Sequence, residues 1–110
     1  MKTNYTKMQS NGNDFLITED SSLIEKTAEL SDRIKNIGFD QLLYFQNGEM
    51  PELRVFNADD SEANNCVNGL RCVAFLYDLK NTYIQIKSRR FLVNKTSNGA
   101  TVKGELPKVE

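Results

Sequence analysis

Two thiols, Cys66 and Cys72, are the residues best suited to proton transfer or nucleophilic attack near neutral pH, because the 110-residue chain has no histidine. Cys66 ends a polar run, Phe56-Asn-Ala-Asp-Asp-Ser-Glu-Ala-Asn-Asn-Cys66, and is followed by apolar residues at helical spacing. That pattern places the thiol at a helix N-terminus, where unpaired N–H groups and the positive end of the helix dipole favour a thiolate. Asn64, Asn65 and Asn68 make its surroundings polar. Cys72 is followed by Val-Ala-Phe and reads as a buried small hydrophobe. On one helix the two thiols would point about 120° apart and lie ~9 Å apart along the axis, beyond the reach of a disulfide. With no CxxC pair and no His/Cys cluster, a structural zinc site is not expected, and both thiols should be reduced, as in the cytosol.

The elements that must position Cys66 follow from periodicity. Tyr5 to Met8 and Phe15 to Thr18 read as short strands around a turn-rich loop, Gln9-Ser-Asn-Gly-Asn-Asp14. Leu23, Thr27, Leu30 and Ile34 recur at helical spacing, predicting an amphipathic helix from about Ser22 to Lys35, capped by Ser21 or Ser22 with Glu25 in a capping box. Ile37-Gly38 ends it. Gln41 to Phe45 and Glu52 to Phe56 are strands joined through Asn47-Gly48, a hairpin turn signal. Val67, Leu70, Val73, Ala74, Leu76, Tyr77 and Leu79 cover a broad helical face, so the second helix is buried on most sides. Tyr83 to Lys87, Arg90 to Asn94 and Thr101 to Lys103 read as strands, the last two joined by an Asn98-Gly99 turn. The order β-β-α-β-β-α-β-β-β predicts an α+β domain whose curled sheet, a partial barrel, wraps the central second helix.

Bulk properties exclude several function classes. A chain of this length forms one domain and buries roughly 65% of its unfolded surface. Hydrophobic residues make up 39% and charged residues 26%, as in an ordinary soluble protein. Fourteen basic against fifteen acidic residues leave a net charge of -1 and no footprint for nucleic acid. The longest apolar run, Val73 to Tyr77, is far short of the ~20 residues of a membrane helix. The N-terminal residues carry no apolar signal region, so the expected location is cytoplasmic. Residues 1–105 are expected to form the domain, and residues 106–110 a tail or the start of a linker to an absent second domain.

Three polar clusters lie at element ends: Asn11-Gly-Asn-Asp-Phe15, Ile37-Gly-Phe-Asp-Gln41, and the run before Cys66. Lys7-Met8, Gly12-Asn-Asp-Phe15, Ile37-Gly38, Asp40-Gln-Leu-Leu43, Phe56-Asn-Ala-Asp59, Ser61-Glu62, Cys66, Asn68-Gly69 and Arg71-Cys72 follow one another in the order of diaminopimelate epimerase. The chain resembles the N-terminal half of that family over nearly its whole length. The resemblance implies two similar domains facing each other across a cleft, each supplying one catalytic cysteine. One thiolate removes the α-proton and the other thiol protonates the opposite face, without pyridoxal phosphate, metal or other cofactor. It implies that Cys66 is one of the two thiols. Asn13, Gln41 and Asn57 would bind the amino-acid groups of the substrate, Asn68 and Gly69 would offer backbone N–H groups to its carboxylate, and Cys72 would pack.

The chain departs from the family pattern at Val67, where glycine is usual, and at Gln9, Asn36 and Asp60, where the family has His, Gly and commonly Gly. A β-branched Val67 would either crowd backbone approach to the anion site or forbid a positive φ at that point. Two function classes follow. The first is a diaminopimelate-epimerase-type isomerase, converting LL- to meso-diaminopimelate in lysine and peptidoglycan precursor synthesis, completed by a second half or a homodimer partner. The alternative is a non-catalytic truncated homologue that binds a small molecule or a protein.

Overall fold

The computed structural model describes residues 4–64 and 66–104. The first three N-terminal residues, Asn65 beside the thiol, and the expected tail lie outside the described residues. Among the described residues, eight strands form one mixed sheet: β1 (Tyr5–Ser10), β2 (Asn13–Thr18), β3 (Gln41–Gln46), β4 (Glu52–Asn57), β5 (Glu62–Ala63), β6 (Thr82–Ile86), β7 (Arg89–Thr96) and β8 (Gly99–Gly104). They lie in the order β1-β2-β3-β4-β6-β7-β8, with two-residue β5 paired on β4. The β2–β3 and β4–β6 pairs are parallel and the rest antiparallel. The expected strand order is present; β5 is additional, and two residues are too few to show a period.

Helix α2 (Val67–Leu76) lies against the inner face of this sheet. Its Leu70, Cys72, Val73 and Ala74 pack on Phe15, Ile17, Leu43, Phe45, Val55 and further strand residues, all buried. The expected face included Leu79, but the helix ends at Leu76. Side chains alternate along a strand, so Leu16, Leu42 and Phe56 point the other way. They form a second core with Leu23 and Phe39, which explains why β2 and β3 read as nearly continuous apolar runs.

The first helical segment is much shorter than its spacing predicts. A 3-10 turn, Ser21–Lys26, leads into a single α-turn, α1 (Thr27–Leu30). The cap is Asp20 rather than a serine: its carboxylate accepts the N–H of Ser22 at 2.9 Å. Beyond Leu30, Asp32 takes the N–H groups of Ile34 and Lys35 on its own side chain, which draws the chain into turns. Ile34, counted among the apolar anchors, is 94% exposed. The loop expected from Gln9 to Asp14 is also tighter, since β1 and β2 run into a two-residue Asn11-Gly12 turn with positive φ at both residues.

Candidate active site

Strand register brings the candidate residues together. Gln41 opens β3 and Asn57 closes β4, and their Cα atoms are direct antiparallel partners. Gln41 shares a strand face with Leu43 and Phe45, and Asn57 with Leu53 and Val55, so both amides point to the α2 side of the sheet. Asn13 stands two residues before Phe15 on the same face, exposed, at the same end of the sheet. Cys66 is the N-cap residue of α2 and meets Gln41 there.

The contacts form a directed series. The Cys66 thiol donates to Gln41 Oε1 at 3.2 Å, and Gln41 Nε2 donates to Asn57 Oδ1 at 2.8 Å. Asn57 Nδ2 donates to Ser61 Oγ at 3.0 Å, and Ser61 Oγ donates to Asp59 Oδ1 at 2.6 Å. Three residues assigned by resemblance, Cys66, Gln41 and Asn57, and two others of the polar run, Ser61 and Asp59, therefore lie in one chain of bonds ending at a carboxylate.

Gly69 lies one turn into α2, directly beneath the sulfur. A Cβ on it would stand 2.9 Å from Cys66 Sγ and 3.0 Å from Leu43 Cδ1, so a hydrogen is the only substituent that fits. The first-turn amides of Val67, Asn68 and Gly69 have no intrahelical carbonyl partner, as at every helix start. The side chain of Asn68 is engaged elsewhere. Its Oδ1 accepts from Asn11 Nδ2 at 3.1 Å and Arg71 Nη1 at 3.2 Å, which fastens the β1–β2 turn to the helix end. Val67 opens α2 in helical backbone, is absent from the positive-φ residues, and is 41% exposed. The valine therefore forces no strained backbone at this point.

Burial changes the expected acidity of the thiol. Cys66 is 9% exposed, and burial raises its pKa above the ordinary cysteine value, with the Gly69 amide pulling weakly the other way. The helix-terminal position alone predicted the opposite direction; removal from water outweighs it. Cys72, in the core, is pushed up to about 11 by burial and by its neighbour Cys66. Both cysteines are free.

A second cluster holds the two strand starts in place. The N–H of Asp14 donates to the Asp40 carboxylate at 3.0 Å, and the N–H of Asp40 donates to the Asp14 carboxylate at 2.9 Å. Arg33 bridges both: its two terminal nitrogens each reach Asp14 at 2.9 Å, and one reaches Asp40 at 3.1 Å. Gly38, with φ +78°, lets the arginine stem pass, since a Cβ there would stand 2.8 Å from Arg33 Cγ. Asn13 and Gln41 each neighbour one of these aspartates, so the clamp fixes where both begin. The role of Arg33 is not legible from its immediate neighbours in sequence. The available signal was a pair of aspartates at adjoining element ends, which need a shared cation.

Among the described residues, no group of three or more Cys, Asp or Glu side chains converges to hold a metal ion, and no helix is long and apolar enough to cross a membrane. Two surface clefts, of about 570 and 450 Å³, lie away from Cys66. The first is beside Glu19 and Tyr77. The second lies between the edge strands β1 and β8, over Cys72 and Phe75.

Comparison with known proteins bears on the family and the fold. The diaminopimelate epimerase of Acinetobacter baumannii is 35% identical, aligned over 100% of this chain and 39% of its own length. That of Coxiella burnetii is 39% identical over 67% of this chain and 30% of its own length. The chain thus spans well under half the length of these curated relatives. A crystal structure of a Bacillus anthracis phenazine biosynthesis protein of the PhzF family shares the fold. It has a TM-score of 0.60 and 15% sequence identity, covering 93% of this chain and 38% of that one. The diaminopimelate epimerase family model matches residues 5–105, and the chain belongs to that family.

Proposed function

We propose that the chain is one half of a cofactor-independent amino-acid epimerase, acting on diaminopimelate, with Cys66 as one of two proton-transferring thiols. The observation that carries this reading is the meeting of Cys66, Gln41 and Asn57 at the N-terminus of α2. Inversion at one carbon needs an acid and a base on opposite faces. A thiolate on one side takes the α-proton, and the electron pair left on carbon spreads into the carboxylate. Cys66 then gives its S–H proton to the other face, which forms the new C–H bond and leaves a thiolate on sulfur. The first-turn amides of α2, including those of Asn68 and Gly69, supply hydrogen bonds for the growing carboxylate charge. Asn13, Gln41 and Asn57 orient the substrate's amino-acid groups.

The opposing thiol comes from a second epimerase-like half or from a second copy of this chain. In the homodimer version two Cys66 thiols face each other across one cleft. A chain that stays monomeric at working concentration would eliminate that version. The activity is tested by exchange of the α-hydrogen of LL- or meso-diaminopimelate in D2O, with this chain alone and with a candidate second half. Exchange that depends on Cys66 supports the reading; folded protein with no exchange in either arrangement overturns it.

One observation favours the second reading, a non-catalytic module that binds an amino acid or a partner protein. The thiol is buried and held protonated, as in a packing cysteine. An alkylation rate for Cys66 at pH 7 no faster than that of Cys72 would favour this reading.

A further inference from the structure

We propose that Ser61 and Asp59 are positioning residues that lock the Gln41 amide with its oxygen toward Cys66, and so hold that thiol as the proton donor on its face of the substrate. The argument begins at the exposed end. Asp59 Oδ1 accepts from the backbone N–H of Ser61 at 3.0 Å and from Ser61 Oγ at 2.6 Å. A carboxylate can only accept, so the single hydroxyl proton of Ser61 is committed to Asp59. Ser61 Oγ must then be the acceptor in its 3.0 Å bond with Asn57, which selects the Asn57 nitrogen for that side. The Asn57 oxygen is left facing Gln41, where it can pair only with the Gln41 nitrogen, at 2.8 Å. The Gln41 oxygen is thereby turned to Cys66 Sγ, and the 3.2 Å contact requires a proton on sulfur.

Each link removes one of the two orientations open to the next amide. A thiolate at Cys66 would face a carbonyl oxygen, two acceptors in contact. To present a nitrogen instead, both amides must turn over and Ser61 must withdraw its proton from Asp59. The relay therefore opposes ionisation in a way that burial alone does not, because its effect depends on a hydroxyl group three hydrogen bonds away. Hydrogen bonds to Ser61 also hold the Asp59 carboxyl below the usual carboxylate range, so it is charged at any working pH.

The other charged and titratable groups at this end are committed elsewhere. Arg71 is bonded to Asn68, and Asp60 takes the N–H of Ala28. Asp14 and Asp40 are clamped by Arg33, and Cys72 is protonated in the core. Protonation of Cys66 by the relay stands on geometry alone, whereas its role as proton donor depends on the epimerase reading.

The test is the pH dependence of iodoacetamide alkylation at Cys66. It is followed by mass spectrometry on the tryptic peptide of residues 55–71, which separates Cys66 from Cys72. Ser61→Ala and Asp59→Asn both free the polarity of the relay. Each should lower the alkylation midpoint by about one pH unit, making Cys66 roughly tenfold more reactive at neutral pH. Ser61→Thr keeps the hydroxyl and should retain the wild-type midpoint. An unmoved midpoint in folded Asp59→Asn overturns the proposal, as does a Ser61→Thr shift as large as that of Ser61→Ala. Hydrogen exchange at diaminopimelate, run in parallel, separates the two claims. Shifted midpoints without exchange leave the relay standing and remove the epimerase reading, while exchange with unmoved midpoints does the reverse.

Discussion

Gln41 and Asn57 are direct cross-strand partners in the antiparallel β3–β4 pair, and their side-chain amides are joined by a 2.8 Å hydrogen bond. This pairing carries the polarity of an exposed turn to a buried thiol. It also makes the site a property of sheet register. A slip of one residue would turn Gln41 and Asn57 to the opposite face and leave Cys66 without a partner. The apolar alternation behind them, with Leu43, Phe45, Leu53 and Val55 facing α2 and Leu42 and Phe56 facing the second core, opposes such a slip.

The two thiols should separate cleanly in function. With the site completed by its second half, Cys66→Ser should lower α-hydrogen exchange by about 10²-fold or more, the usual scale for a lost acid/base group. Cys72→Ala should keep exchange within a few-fold of wild type and cost about 1–2 kcal/mol of stability, because it removes a buried sulfur from the α2 core. Equal loss of exchange in both variants would contradict the assignment of Cys66 as the acting thiol.

How far this site is legible in sequence depends on the kind of information each residue carries. Cys66 stands where an asparagine-rich run gives way to helical apolar spacing, a local signal, and α2 begins there. Gln41 and Asn57 lie sixteen positions apart and meet only through strand pairing, so their residue types alone said nothing; the ordered resemblance to a family supplied the link. Arg33 lay inside a segment read as a regular helix, where its neighbour Ile34 counted as an apolar anchor. Asp32 breaks that helix by taking the N–H groups of Ile34 and Lys35 on its side chain, an effect that hydrophobic periodicity does not record. The acidity of Cys66 is not legible locally for a similar reason: helix position is local, but burial is set by the whole fold.

The Asp14–Arg33–Asp40 clamp should give stability a defined acid limb. Bonds from Arg33 and the partner aspartate hold the Asp14 carboxyl well below the usual range, partly offset by burial. A carboxyl with a depressed folded pKa contributes stability above its unfolded value of about 4, and that contribution is lost as the pH falls through the folded value. Urea midpoints should therefore decline steadily below about pH 4. Arg33→Met should lower the midpoint at pH 7 and flatten the decline. Wild-type and Arg33→Met midpoints falling in parallel between pH 5 and pH 2 would show that the clamp contributes nothing to it.

Asp60 occupies a left-handed position, φ 72°, where glycine is common in the family, and its Oδ1 accepts the N–H of Ala28 at 3.1 Å. Aspartate tolerates this conformation better than most residues, and the bond to α1 offsets part of the strain. Asp60→Ala loses the bond and keeps a Cβ at positive φ, whereas Asp60→Gly loses the bond and relieves the backbone. The alanine variant should be less stable than the glycine variant by about 1 kcal/mol in denaturant unfolding. Equal midpoints would mean that the turn relaxes out of the left-handed region at no cost.

Gly69 offers the most direct probe of how closely the thiol is held. A methyl group there would meet Cys66 Sγ at 2.9 Å and Leu43 Cδ1 at 3.0 Å, both buried and neither the free end of a long chain. One of the two must move. If Leu43 gives way, the inner core is overpacked and stability falls by about 1–3 kcal/mol. If the sulfur gives way, it leaves Gln41 and loses the 3.2 Å bond that holds it as a thiol. Gly69→Ala should therefore pair a lower urea midpoint with an altered Cys66 alkylation profile. A variant as stable as wild type, with unchanged alkylation, would show that the helix start has room the packing does not indicate. A destabilised variant with unchanged alkylation would assign the glycine to the Leu43 contact alone.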